Sequence, residues 1–259
     1  MRKSLISFMS LLLALSLGAC SKPASEAVSE SQPEDAAAPA AAEPLRGEDA
    51  GAADGDDPTV LDPDHYTVEF ENDAVRILRV KHDPGEESVM HSHPESVAVF
   101  LTDIDAQMTL PDGSTAQVAA AAGDAVYGPA RAHQPKNLSD SAWEVVEIEL
   151  KPRESAQGEP GGPDSTAVDP DHYTTEFEND SVRVLRIKYG PGEASVMHYH
   201  PDSVAVFLTD HLVEMTMPDG STEEIPASAG DTLFIPGGQH LPRNVADFAW
   251  ELVLVELKD

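Results

Sequence analysis

The heptapeptide Ser88-Val89-Met90-His91-Ser92-His93-Pro94 returns as Ser195-Val196-Met197-His198-Tyr199-His200-Pro201, 107 positions further on. Alternate side chains of an extended strand share a face, so His91 and His93 project together, as do His198 and His200. Two imidazoles side by side on a rigid strand are the start of a metal site. One His-x-His pair is common on protein surfaces. Two copies, each with a further histidine at the same later offset, point to metal binding.

The repeat reaches well beyond the heptapeptide. About 56 of the 90 positions in Asp62–Lys151 are identical in Asp169–Lys258 without a gap, which marks a duplicated structural unit. Domain 1 is read as residues 59–151 and domain 2 as 169–259, joined by a Gly/Pro-rich linker over 152–168. Each copy carries the signals of short strands. Val75 to Lys81 is β-branched, Ser96 to Thr102 is compact and apolar, and Pro111-Asp112-Gly113-Ser114 is a hairpin turn. In the last strand, Trp143 to Leu150, the residues Val146, Ile148 and Leu150 alternate with Glu147 and Glu149. Eight or so strands, frequent turns and no convincing helix predict an all-β sandwich or barrel. Trp143 and Trp250 read as core. Leu254 replaces Glu147 beside Leu252, so a more apolar outer face there is expected where two domains, or two chains, meet.

The first residues read as an export signal. Arg2 and Lys3 precede an apolar run from Leu5 to Leu17, too short to span a bilayer comfortably. It ends in Leu17-Gly18-Ala19-Cys20, which resembles the lipobox of bacterial lipoproteins. That resemblance implies lipidation of Cys20, and Ser21 in place of Asp implies the outer membrane, facing the periplasm. Residues 21–58, rich in Ala, Pro and acidic side chains, read as a disordered tether. The formal charge is −31, from 47 acidic and 16 basic residues, which excludes a phosphate backbone as partner.

Each copy resembles the cupin superfamily. Its first motif, Gly, five residues and His-x-His, is matched by Gly85, His91 and His93 and by Gly192, His198 and His200. Its second is matched by Gly123, Pro129, His133 and Asn137, and by Gly230, Pro236, Gly238, His240 and Asn244. The resemblance implies two tandem cupin-type β-barrels, of the jelly-roll or double-stranded β-helix kind. It departs from the family where a ligand Glu belongs, near Val97 or Ala98 and near Val204 or Ala205, and the Pro129–His133 gap is one residue short. Three-histidine sites remain: His91, His93 and His133, then His198, His200 and His240. They imply a divalent transition metal, Fe, Zn, Mn or Cu.

The candidate catalytic residues are Glu95, Arg131 and Tyr127. Glu95, like Asp202, lies two positions past His-x-His and reads as a replacement ligand, a general base or a solvated loop charge. Arg131 could receive a carboxylate by a charge-assisted pair, and becomes Gly238 in the second copy. Tyr127, Gly128 and Gln134 become Phe234, Ile235 and Leu241, so the first pocket is the more polar. His65 and His172 read as structural; His82 and His211, without counterparts, read as surface residues. The expected function is a metal-dependent enzyme, dioxygenase-like or an isomerase or lyase, on a small organic molecule. The alternative is a cell-envelope module that binds metal or a small ligand without turnover. The expected partners are that small molecule, the membrane through the Cys20 lipid, and a second copy of the chain as a homodimer.

Overall fold

The computed structural model describes residues 56–153 and 161–258. The expected signal region, Cys20, and all of the tether before Asp56 lie outside the described residues. Among those described, no helix is long and apolar enough to cross a membrane.

Two copies of one nine-stranded unit follow each other. The first runs α1 (Pro58–Leu61), β1 (Tyr66–Glu71), β2 (Val75–His82), β3 (His91–His93), β4 (Ser96–Phe100), β5 (Ile104–Thr109), β6 (Thr115–Ala120), β7 (Ala125–Gly128), β8 (Arg131–Asn137) and β9 (Trp143–Leu150). The second repeats it with α2 (Ser165–Val168), β10 (Tyr173–Glu178), β11 (Val182–Tyr189), β12 (His198–His200), β13 (Ser203–Phe207), β14 (His211–Thr216), β15 (Thr222–Ala227), β16 (Thr232–Ile235), β17 (Gly238–Asn244) and β18 (Trp250–Leu257). In each, a five-stranded sheet in the order β1-β2-β9-β4-β7 faces a four-stranded sheet in the order β3-β8-β5-β6, and the second copy follows the same plan. The fold is all-β, two tandem barrels, as the sequence predicts. Gly85 and Gly192 sit at φ 79° and 76° in the turn before each His-x-His strand, a conformation only glycine adopts without strain.

Each unit starts earlier than the identity between copies does. Asp57 caps α1, accepting from the Thr59 amide at 2.8 Å, and Asp164 caps α2, accepting from Thr166 at 3.0 Å. A single helical turn therefore lies within the expected linker, and another straddles the expected end of the tether. The stretch escaped notice because Pro58, Val60 and Leu61 become Ser165, Ala167 and Val168, leaving only the Asp-x-Thr pattern.

The five-stranded sheets of the two units pack against each other. Val75, Ile77, Val97, Val99, Val146 and Ile148 form one apolar cluster with Val182, Val184, Val204, Val206, Val253 and Val255. Polar contacts at its margin are reciprocal: Arg79 donates to the Gly230 carbonyl at 2.6 Å, and Arg186 donates to the Gly123 carbonyl at 2.6 Å. The expected meeting face is thereby corrected. Leu252 and Leu254 point into the second barrel, and their neighbours Val253 and Val255 make the seam. Alternation separates two faces but does not say which is outside, and here both are buried.

His82 and His211 are also corrected, since both are buried. His82 stacks on Trp143 with ring centroids 4.2 Å apart, and His211 lies 4.2 Å from Trp250. Both ring nitrogens of His82 and Nδ1 of His211 lack a hydrogen-bond partner among the described residues. Burial lowers each pKa to about 4. The unfolded chain takes up these protons below about pH 6.5 and the fold does so only near pH 4, so the stability they support is present above pH 6.5 and lost as pH falls. Giving either position its counterpart from the other copy, His82→Tyr or His211→Ile, should shrink the stability difference between pH 7 and pH 5 by about 2 kcal/mol in urea unfolding.

Candidate metal centre

The three-residue strand β3 pairs with β8 so that His91 lies opposite His133 and His93 opposite Arg131. His91 and His93 share a face by the two-residue period, and the antiparallel register brings His133 to the same face. In the second unit His198 lies opposite His240, and His200 opposite Gly238. One ring nitrogen from each histidine lies within 4.8 Å of the others in both triads. All are buried except His240, which is half-buried.

Hydrogen bonds outside each triad set its tautomers. His91 Nδ1 lies 2.8 Å from the Val89 carbonyl and His93 Nδ1 lies 2.7 Å from Glu149 Oε1. Both partners only accept, so both Nδ1 atoms donate and each Nε2 is left with a bare lone pair. Those two Nε2 atoms face each other at 3.0 Å, an arrangement that a shared metal ion or a proton satisfies. The second triad has the same anchors, at 2.8 Å for His198 on Val196 and 2.6 Å for His200 on Glu256. There His198 Nε2 is buried without a protein partner. Burial, followed by the neighbouring imidazoles, lowers His91 and His198 to about 4 and His240 to about 3. Burial and Arg131 push His133 well down. Imidazoles converging on one point fit a divalent metal, and the buried carboxylates Glu149 and Glu256 on the outer nitrogens raise ligand basicity.

Beside the first triad, a cavity of about 130 Å³ is lined mainly by apolar side chains, among them Phe100, Val126, Trp143 and Val145. One polar cluster interrupts that lining. Arg131 donates to Glu147 Oε1 at 2.6 Å and to the Ser96 hydroxyl at 2.8 Å. The Ser96 hydroxyl also donates to Glu147. Glu147 lies directly across the strand pair from Ala98, one of the two positions where the resemblance leads one to look for a ligand carboxylate. Burial raises its pKa, but Arg131, His93 and Ser96 outweigh this and hold it below the ordinary range. In the second unit the pair is Gly238 and Leu254, the cavity shrinks to about 60 Å³, and the Ser203 hydroxyl has no partner among the described residues.

Of the expected catalytic residues, Arg131 and Tyr127 line the cavity beside the triad and Glu95 does not. Glu95 lies on the turn after β3, where Ser181 of the second unit donates to it at 2.8 Å. Tyr127 packs its ring on the seam cluster with its hydroxyl near Glu95. A two-residue period places the Tyr127 ring with Ala125 on the seam side of β7. Glu147 and Tyr66, whose ring centroid lies 4.7 Å from that of His91, belong to the site and were not anticipated. The signal for Glu147 was its parity with Trp143.

No protein-family model and no curated protein sequence matches the chain. Solved structures do. An oxalate decarboxylase variant from Bacillus subtilis is similar at TM-score 0.52 and 13% identity, covering 75% of this chain and 72% of that one. The oxalate decarboxylase of Lactobacillus farciminis, in a formate complex, is similar at TM-score 0.53 and 15% identity, covering 74% and 80%. A cupin domain from Bordetella pertussis aligns at TM-score 0.32 and 24% identity, covering 40% of this chain and all of that one.

Two separate triads predict a stoichiometry. Purified without chelator and titrated with Zn²⁺, the chain should bind about two equivalents. His91→Ala and His198→Ala should each leave about one. A chain whose uptake is the same after His91→Ala would remove the first triad from the metal account.

Proposed function

We infer from this bicupin fold and its paired three-histidine clusters that the chain is a metal-binding protein, and propose that its first barrel is a metal-dependent enzyme acting on a small organic carboxylate. One observation carries the reading. The Arg131–Glu147–Ser96 cluster, in which Glu147 and Ser96 are buried, stands beside a histidine triad in a mainly apolar cavity, and only in one of the two units. The similar solved structures, an oxalate decarboxylase and an oxalate decarboxylase in a formate complex, involve small carboxylates, the class proposed here.

His91, His93 and His133 would hold the ion. A three-histidine centre leaves a position open, where a divalent ion supplies Lewis acidity. The rest falls to the chain's own groups. Arg131 already holds a carboxylate, Glu147, and an incoming one competes for the same guanidinium. Glu147, released from Arg131, loses the interaction that offsets its burial, so its proton affinity rises. It then serves as the general base or acid next to the bound molecule. The apolar walls exclude water and strengthen these charge interactions. Ser96 stays bonded to either partner and keeps the cluster in place.

The second barrel supports a different reading. With Leu254 and Gly238 in place of the pair, it keeps the triad and has no carboxylate in its cavity lining, where His211 is a titratable group outside the triad, so it holds a metal without turnover. For the whole chain we propose export and lipid anchoring at Cys20, in the outer membrane and facing the periplasm. Arg2, Lys3, the apolar run and Leu17-Gly18-Ala19-Cys20 support this, with the Ala/Pro-rich acidic segment that follows as tether.

The test transplants the second pocket into the first. Arg131→Gly with Glu147→Leu removes both charges together, since stranding one in the cavity costs about 3–5 kcal/mol. The double variant should keep two equivalents of metal and lose turnover of short mono- and dicarboxylates by at least about 100-fold, the lower bound for a general acid–base group. Unchanged turnover would sink the assignment, as would a parent chain that turns over none of them with any of the four metals.

A further inference from the structure

The short segments that open each unit reach the histidine strands by two routes. The first is backbone: the Ser92 amide, between His91 and His93, donates to the Asp56 carbonyl at 2.9 Å, and the Tyr199 amide donates to the Pro163 carbonyl at 2.8 Å. The second is a chain of charges. Asp57 accepts from Arg76 Nη1 at 2.5 Å, Arg76 Nε donates to Glu149 Oε2 at 2.6 Å, and Glu149 Oε1 accepts from His93 Nδ1 at 2.7 Å. The second unit repeats every link: Asp164 to Arg183 at 2.6 Å, Arg183 to Glu256 at 2.5 Å, Glu256 to His200 at 2.6 Å.

We propose that Asp57 and Asp164 are positioning residues of the two metal centres, acting through arginine and glutamate on one histidine each. Glu149 is 2% exposed and has two oxygens to satisfy. Its orientation toward His93 depends on where Arg76 sits. Arg76 lies between two carboxylates, and Asp57 is the one that is not itself bonded to the histidine. Asp57 also caps α1, whose turn fixes the carbonyl of Asp56 over Ser92. Strand β3 is only three residues long and has one strand neighbour, β8, so its free edge is held at Ser92 by this segment. Loss of the Asp57 charge lets Arg76 and Glu149 rotate away, and the His93 ring loses its fixed tautomer and direction. The effect is local, because the second centre has its own Asp164.

The proposal rests on the triads binding metal, and the experiment separates the two claims. The full chain is titrated with Co²⁺ in a His198→Ala background that leaves only the first centre, and the visible spectrum is recorded. Asp57→Asn keeps a good helix cap and gives up the charge. It should weaken Co²⁺ binding about tenfold, the low end for outer partners of metal ligands, and alter the Co²⁺ absorption bands. Asp164→Asn in the same background should change neither, and the converse should hold in a His91→Ala background. A spectrum and affinity untouched by Asp57→Asn would overturn the proposal, as would equal weakening by both substitutions, which would mark a general loss of folding. A parent chain that takes up no Co²⁺ at either centre would bring down the metal reading and this proposal together.

Discussion

A carboxylate buried next to a histidine is the constraint on which each barrel depends. Glu149 and Glu256 are 2% and 1% exposed, and an isolated charge in such a place costs several kcal/mol. The fold meets that cost by giving each oxygen a charged or polar partner, Arg76 or Arg183 on one side and the histidine on the other. Much follows from this. Strands β2 and β9 must pair in the register that sets Arg76 opposite Glu149, as they do. The His-x-His strand must lie over β9 from the facing sheet, and the histidine must present its other nitrogen to the interior. A metal-ready imidazole is thus a by-product of satisfying the carboxylate.

The same two strands also carry the seam between the units. One face of β9 holds Trp143, Val145, Glu147 and Glu149 toward the cavity, and the other holds Val146 and Ile148 against the second unit. A sheet covered on both sides has little freedom to shift register, because slipping by one residue would put carboxylates into the valine layer. The seam therefore stiffens the wall on which Glu147 and Glu149 stand. Preorganisation of this kind is what a site needs if its charges are to work in a low dielectric.

Much of this was legible in the sequence, and the limits have physical causes. The duplication, the glycines at positive φ and the spacing of six histidines fixed the barrel and the triads, because each reflects a local geometric demand. What a strand's period leaves open is which side is which. Parity grouped Glu147 with Glu149 and with Trp143, yet the carboxylates read as an outer face, because charge normally marks solvent. For Tyr127 and Glu95 a related limit applies: nearness in sequence to the motif says nothing about which side of the sheet they occupy. His82 and His211 looked exposed because they had no counterpart in the other copy, whereas absence of a counterpart is also how a core position diverges. The opening turns went unseen because each depends on one aspartate and one backbone carbonyl, which leave a faint trace in side-chain identity.

The difference between the pockets has a logic of its own. Replacing one member of a buried ion pair strands the other, while replacing both with apolar groups of suitable volume is close to neutral. Arg131 and Glu147 differ from Gly238 and Leu254 as a pair, which is the arrangement stability permits on either side of the comparison. Ser96 and Ser203 did not change with them. In the first barrel that hydroxyl donates to the glutamate and accepts from the arginine; in the second it is buried without a partner among the described residues, a small destabilisation that an apolar residue there would relieve. Its retention beside Leu254 makes the apolar pocket the poorly satisfied one of the two. The polar pocket is the one for which this serine is suited.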